Sequence, residues 1–169
     1  TPIMMPFWLR FLLAVIYQAC FVLNLDKTYK CVTSNMVGFP GGRVKLDDRN
    51  LRHTCLRKTE EDVGITGHKV EVIRELTLLY IPPSNFWVQP FMGVMQRTPR
   101  LVPQEDEVEA VLEIDLDEFL SESCLVSETL STSYAKDIEV PAFLLCGHVV
   151  WGATAMMLSE MKEILKQSL

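Results

Sequence analysis

The sequence has little of what marks several common functions. Its five cysteines, at 20, 31, 55, 124 and 146, are odd in number and scattered, and no Cys-x-x-Cys pair occurs. That excludes a disulfide framework or a cysteine zinc knuckle, and it reads as reduced thiols in a cytoplasmic protein. The three histidines, His53, His68 and His148, stand too far apart for a zinc spacing. There is no Gly-x-x-x-x-Gly-Lys phosphate loop. Ser84 and Ser133 lack a nucleophile context. No run of Lys or Arg offsets the net charge of -6, so a broad nucleic-acid surface is not expected. Repeats and low-complexity linkers are absent as well.

An uninterrupted apolar run is also missing. Residues 3–23 come nearest, in length close to a membrane span, with Arg10 ahead of an apolar stretch as in an export signal. Pro6, Arg10 and Gln18 interrupt them, and their β-branched and aromatic residues suit buried strands. The reading taken is core strands, with residues 14–23 leading towards the central motif. Membrane association is its rival.

What is present is a chain of 169 residues, 49% hydrophobic and 22% charged, which suits one domain with a real core. The most informative stretch runs from 39 to 65. Pro40, Gly41 and Gly42 force a turn. Asp48 is the expected N-cap, or close to it, of a helix from about Asn50 to Val63, which Gly64 ends in the left-handed conformation. Arg57 and Glu61 lie four apart, and Lys58, Glu61 and Asp62 share a face. The carbonyls of the turn and the two acids can converge on a hard cation such as magnesium, which takes oxygen ligands.

The run Arg57-Lys58-Thr59-Glu60-Glu61-Asp62-Val63-Gly64-Ile65, after a Gly-Gly turn, closely resembles the Nudix box. Phe39-Pro-Gly-Gly, Asp48 and Thr54-x-Leu56-Arg57 look like the coenzyme A pyrophosphatase branch of that family. The resemblance implies an α/β protein: a Nudix-type α/β/α sandwich with a mixed sheet, one domain over residues 1–169. The family carries more chain before the box, so first strands that are altered or missing are part of the expectation.

For function, the resemblance implies a diphosphatase dependent on Mg2+ or Mn2+. Its ligand would be a small nucleotide or coenzyme A, cut in the latter case to 3',5'-ADP and 4'-phosphopantetheine. The metal would rest on Glu61, Asp62 and a carbonyl of Gly41 or Gly42. Arg57 would orient the box carboxylates by a salt bridge, Glu107 would be a further ligand or base, and Tyr80, Asn85 and Gln89 would touch the nucleotide. A homodimer is compatible with the family.

Several positions depart from the pattern. Lys58 stands where the box has Glu, and Asp62 replaces the second Glu of the pair. Cys31, Thr33 and Met36 fall where the branch usually has Gly, His and Gln, and Asp26 near its usual Arg. A cation about 5 Å from a metal, at an effective dielectric near 20, costs on the order of 3 kcal/mol per unit of metal charge. Lys58 either pairs with Glu61 or Asp62 or points to solvent, and in both cases metal affinity and turnover fall far below those of an intact box. A Nudix-fold binding or regulatory protein is therefore the rival from another class.

Elsewhere the pattern predicts strands at 70–76 and 86–94, a loop at 80–85, and a half-exposed strand at 108–116 followed by a helical turn at 117–120. Two short strands are expected around Pro141 and Gly147. A final helix at 151–167 would bury Ala155, Leu158, Met161, Ile164 and Leu165, with Glu160, Lys162, Glu163 and Lys166 opposite.

Overall fold

The computed structural model describes residues 9–27, 37–82, 85–131 and 136–168. Expectations that concern residues 3–8 and 28–36, or Ser84 and Ser133, lie outside the described residues.

The described part of the apolar run forms core strands, as a hairpin whose turn falls inside 14–23. Strand β1 (Leu9–Tyr17) turns at Gln18 and Ala19 into β2 (Cys20–Asp26), and Tyr17 pairs with Cys20. Both turn residues have positive φ, 41° and 63°, as a two-residue hairpin of right-handed twist requires. Short strands β3 (Val37–Gly38) and β4 (Gly41–Arg43) follow, then helix α1 (Leu51–Val63). Gly41 and Gly42 thus continue past the bend at Pro40 as a strand paired with β1.

Strands β5 (Glu71–Glu75), β6 (Leu79–Ile81), β7 (Phe86–Met95) and β8 (Val108–Asp115) complete the main sheet. Its order is β3-β2-β1-β7-β5, with β4 on β1, β6 on β7 and β8 on β2. Only β1 and β7 run parallel among these pairs, over nine residue pairs from Leu9–Trp87 to Tyr17–Met95, so the sheet is mixed. The expected loop at 80–85 is shorter, because Tyr80 and Ile81 pair with Trp87 and Phe86 before Pro82 breaks the ladder.

After helix α2 (Leu116–Leu120), strands β9 (Leu125–Leu130), β10 (Ile138–Leu145) and β11 (His148–Val150) form a second, antiparallel sheet. Pro141 lies inside β10 rather than between strands, and β9 had no counterpart in the sequence reading. Helix α3 (Gly152–Ser168) closes the chain.

Alternation in β1 explains the layers. Leu13, Val15 and Tyr17 join Cys55 and Val63 of α1 in one core, while Ala14 joins Phe119, Leu158 and Met161 in the other. A strand buried on both faces reads as a continuous apolar run, which is how residues 13–17 contribute to the likeness of a membrane segment in sequence. Among the described residues no helix is long and apolar enough to cross a membrane.

Ala155, Leu158 and Met161 are buried as expected, but Lys162 is not opposite them: it is 4% exposed. Its Nζ donates to the Ser121 carbonyl at 3.2 Å and lies 5.9 and 5.7 Å from the Phe119 and Phe143 rings. The long aliphatic stem lets the residue share the apolar stripe while its ammonium finds a carbonyl and two ring faces. Lys162→Met is expected to keep folding stability within about 1 kcal/mol of the native chain, since a shape-matched apolar residue removes the desolvation cost together with the contact. Urea denaturation checks this; a loss above about 2 kcal/mol would show that the ammonium is a net stabiliser.

Candidate active site

Helix α1 carries the site, and its ends are set by local chemistry. Asn50, not Asp48, is the N-cap: its Oδ1 accepts from His53 N at 2.9 Å. Gly64 ends the helix with φ 77°, its N–H bonded to the Glu60 carbonyl. Asp48 is drawn away from capping by Arg57. Arg57 Nε donates to Asp48 Oδ1 at 2.7 Å and Nη2 to Oδ2 at 2.8 Å, a two-pronged pair in which the Asp48 side chain is 1% exposed. Thr54 Oγ1 and Lys45 N also donate to Asp48 Oδ2. The Arg57 hydrogen bond chiefly holds the Asp48 carboxyl far below the usual carboxylate range, against its burial.

The same guanidinium reaches Glu61, with Nη1 3.0 Å from Oε1, and the carbonyl of Arg43 at 3.1 Å. One residue thereby ties the loop at 43–48 to the outer face of α1. Lys45 Nζ lies 3.4 Å from the same Glu61 oxygen. Burial opposes ionisation of Glu61, but the Arg57 hydrogen bond and the Lys58 charge outweigh it and hold its carboxyl low.

Asp62, one residue on, is 5% exposed. Its Oδ2 accepts from Gly41 N at 3.1 Å, so Gly41 meets this acid through its N–H. Burial pushes the Asp62 carboxyl up, more than Lys58 and the Gly41 N–H pull it down. Asp62 Oδ1 is buried and receives no hydrogen bond. Its neighbour is Lys58 Nζ, 3.4 Å away, and that ammonium is also 3.3 Å from Glu61 Oε2 and 4.0 Å from Glu107 Oε2. The three carboxylates outweigh burial and keep Lys58 charged.

Glu107 reaches this cluster because its loop is pinned to the end of α1. Val102 N donates to the Val63 carbonyl at 2.8 Å and Gln104 N to the Asp62 carbonyl at 2.9 Å. Gly42 matters through what it lacks: a Cβ there would stand 2.6 Å from Lys58 Cε, so the lysine stem lies directly on this glycine.

The expected nucleotide contacts divide. Tyr80 OH donates to Asn85 Oδ1 at 2.7 Å on the exposed β6–β7 hairpin, where Tyr80 also packs 5.1 Å from Trp87. Next to Asn85, the Phe86 ring lies 4.7 Å under the Arg43 guanidinium, which links the hairpin to the box. Gln89 is buried. Its Nε2 donates to the Leu76 carbonyl at 2.6 Å, supplying the donor that Pro90 lacks beside a sheet partner. Arg43, Lys45 and Phe86 were missed in the sequence; the signal available was their place immediately after the Gly-Gly turn and in the 86–94 strand. Beside the cluster an open groove of about 500 Å³ lies between α1 and the turn at Gly67 and His68, with Arg57, Glu60 and Glu61 on its wall.

Residues 19–130 match the sequence model of the NUDIX domain. This chain belongs to the Nudix family. A relative from Pectobacterium atrosepticum, described as the uncharacterized Nudix hydrolase NudL, is 32% identical over 139 residues, covering 76% of this chain and 66% of its own length. A Yersinia pestis protein of the same description is 30% identical over 132 residues, covering 77% of this chain. The chain spans only 64% of that protein's length. Among solved structures, a NUDIX-family hydrolase from Clostridium perfringens superimposes with a TM-score of 0.62 at 9% identity, over 95% of this chain and 99% of that one. That likeness shows the fold, the α/β/α sandwich that the box implied.

Nudix hydrolases as a family use divalent ions, and the residues here can be tested for one. Among the described residues no three His, Cys, Asp or Glu side chains are grouped so as to hold a metal. The oxygens of Glu61, Asp62 and Glu107 surround the Lys58 ammonium instead. As they stand, these residues do not fit a resident divalent ion.

Proposed function

We propose that this chain binds a nucleoside diphosphate-linked compound against the box, coenzyme A or an acyl-CoA first among them, and hydrolyses its diphosphate slowly. The products are 3',5'-ADP and a phosphopantetheine compound. The observation that carries this reading is the intact frame of the box: Asp48 to Arg57 to Glu61 along the helix, with Asp62 on the Gly41 N–H. In it Arg57 positions Glu61 and the 43–48 loop, and Glu61 and Glu107 are the carboxylates at hand to accept a proton from attacking water. Tyr80 and Asn85 contact the ligand, and Gln89 serves the sheet. Mg2+ or Mn2+ is the cofactor the family resemblance implies for such an enzyme, but Lys58 occupies the carboxylate cluster that would hold it. The described cysteines, Cys20, Cys55, Cys124 and Cys146, are free, which supports a reducing, cytoplasmic setting.

A second reading, a ligand-binding protein that has lost hydrolysis, is favoured by the Lys58 ammonium among its three carboxylates. Product release from coenzyme A and a panel of nucleoside diphosphate-linked compounds separates the two. It is measured with Mg2+ or Mn2+ for the native chain and for Lys58→Glu. Slow native turnover that rises at least about tenfold in Lys58→Glu is expected, since the substitution removes a cation and adds a carboxylate. Silence from both proteins would sink the hydrolase reading and leave the binding one.

A further inference from the structure

The box of this chain already holds a cation. Lys58 Nζ lies between carboxylates from two separate segments, 3.3 Å from Glu61, 3.4 Å from Asp62 and 4.0 Å from Glu107. Its side chain is 17% exposed, and its stem lies on Gly42 where any Cβ would collide with it, so this is a seated side chain and not a solvated one. Asp62 Oδ1 is buried without a hydrogen bond, and it faces this ammonium. A buried carboxylate oxygen in that condition is tolerated only beside a compensating charge.

We propose that Lys58 is a tethered resident cation of the box, which takes the place of a divalent ion and closes the carboxylate cluster to metal. The argument is one of shared ligands and like charge. A divalent ion in the cluster would need the oxygens that Lys58 now faces, and it would sit within a few ångströms of an ammonium that Gly42 holds in position. The tether favours the lysine further, because an intramolecular partner is present at high effective concentration. In family terms the position that normally contributes negative charge to the box supplies positive charge here, so the cluster is satisfied before any ligand arrives. This proposal rests on the box being the ligand site, as read above, but its test uses no nucleotide.

Mn2+ is titrated into the native chain, Lys58→Met, Lys58→Glu and Gly42→Ala, and bound ion is read from the loss of the free Mn2+ electron paramagnetic resonance signal. The native chain is expected to bind Mn2+ at least about tenfold more weakly than Lys58→Met, with Lys58→Glu tightest. Gly42→Ala displaces the lysine stem and should fall between them, which keeps a comparison available if a Lys58 variant does not fold. The native melting temperature should be the same in Mn2+ and in EDTA. Native Mn2+ affinity equal to that of Lys58→Met, or a native melting temperature raised by Mn2+ as much as that of Lys58→Glu, overturns the proposal. The expected Mn2+ order without any coenzyme A turnover supports the resident cation and counts against the hydrolase reading alone.

Discussion

Arg57→Met should cost about 3 kcal/mol of folding stability or more, measured by urea denaturation at neutral pH. Asp48 accepts from Arg57 through both carboxylate oxygens, and its side chain is 1% exposed. Removing the guanidinium leaves that charge with Thr54 Oγ1, the Lys45 N–H and the His53 imidazole, whose Nδ1 is 3.2 Å from Oδ1, in place of a permanent cation. Glu61 and the Arg43 carbonyl lose a donor in the same step. The pH dependence has a definite sign. The Asp48 carboxyl is held below its unfolded range, chiefly by the Arg57 hydrogen bond, so its stabilisation is complete above about pH 4 and is lost as pH falls through the lowered value. The gap between native and Arg57→Met should therefore be widest near neutrality and shrink in acid. A gap that stays constant down to pH 3 would mean that the pair is not what stabilises the loop.

The Arg57–Glu61 contact and the Gly64 stop were legible from spacing, the role of Arg57 came from the family resemblance, and the Asp48–Arg57 pair and the Gly41 N–H contact to Asp62 were not legible. Residues four apart on a helix must face one another, and a glycine at the end of a charged helix must stop it. The N-cap was less legible. Asp48 and Asn50 are both good caps two positions apart, and the choice falls to Asn50 only because Arg57, nine residues along from Asp48, claims the aspartate. The Lys58 substitution was visible in the sequence, but its direction was not. Whether a lysine turns outward or lies down depends on an empty space over Gly42, which is 16 positions away.

Other misses have the same origin in contacts distant along the chain. No Gly or Asn marks the hairpin at Gln18 and Ala19, so the interruption at Gln18 did not read as a turn. Lys162 looked like the polar edge of α3, and its partners, Ser121, Phe119 and Phe143, come from α2, the turn after it and β10. Gln89 looked like a ligand contact until Pro90 beside it was seen to need a donor. By contrast, the buried face of α3 at Ala155, Leu158 and Met161 followed from periodicity, which needs no distant partner.

Phe119→Ala should be the costliest single substitution in the far core, about 4 kcal/mol by urea denaturation. Phe119 sits on α2, a helix of only five residues, yet it is fully buried. Its ring stands edge-on to Phe21 of the main sheet at 4.9 Å and lies 5.7 Å from Phe143 of the small sheet. Lys162 of α3 contributes its ammonium from 5.9 Å. One ring therefore touches side chains from three elements within a shared core that also holds Leu23, Leu145, Leu158 and Met161, and a five-residue helix capped by Asp115 has little stability of its own with which to fill the gap. Phe119→Leu keeps most of the volume and should cost about half as much. Phe21 also packs 6.4 Å from Phe39, the residue before the bend that leads into Gly41, so the lost core support lies one contact behind the site. If Phe119→Ala lowered stability by less than about 1 kcal/mol, the small sheet and α3 would have to close over the cavity, and the surrounding core rather than this ring would hold the two sheets together.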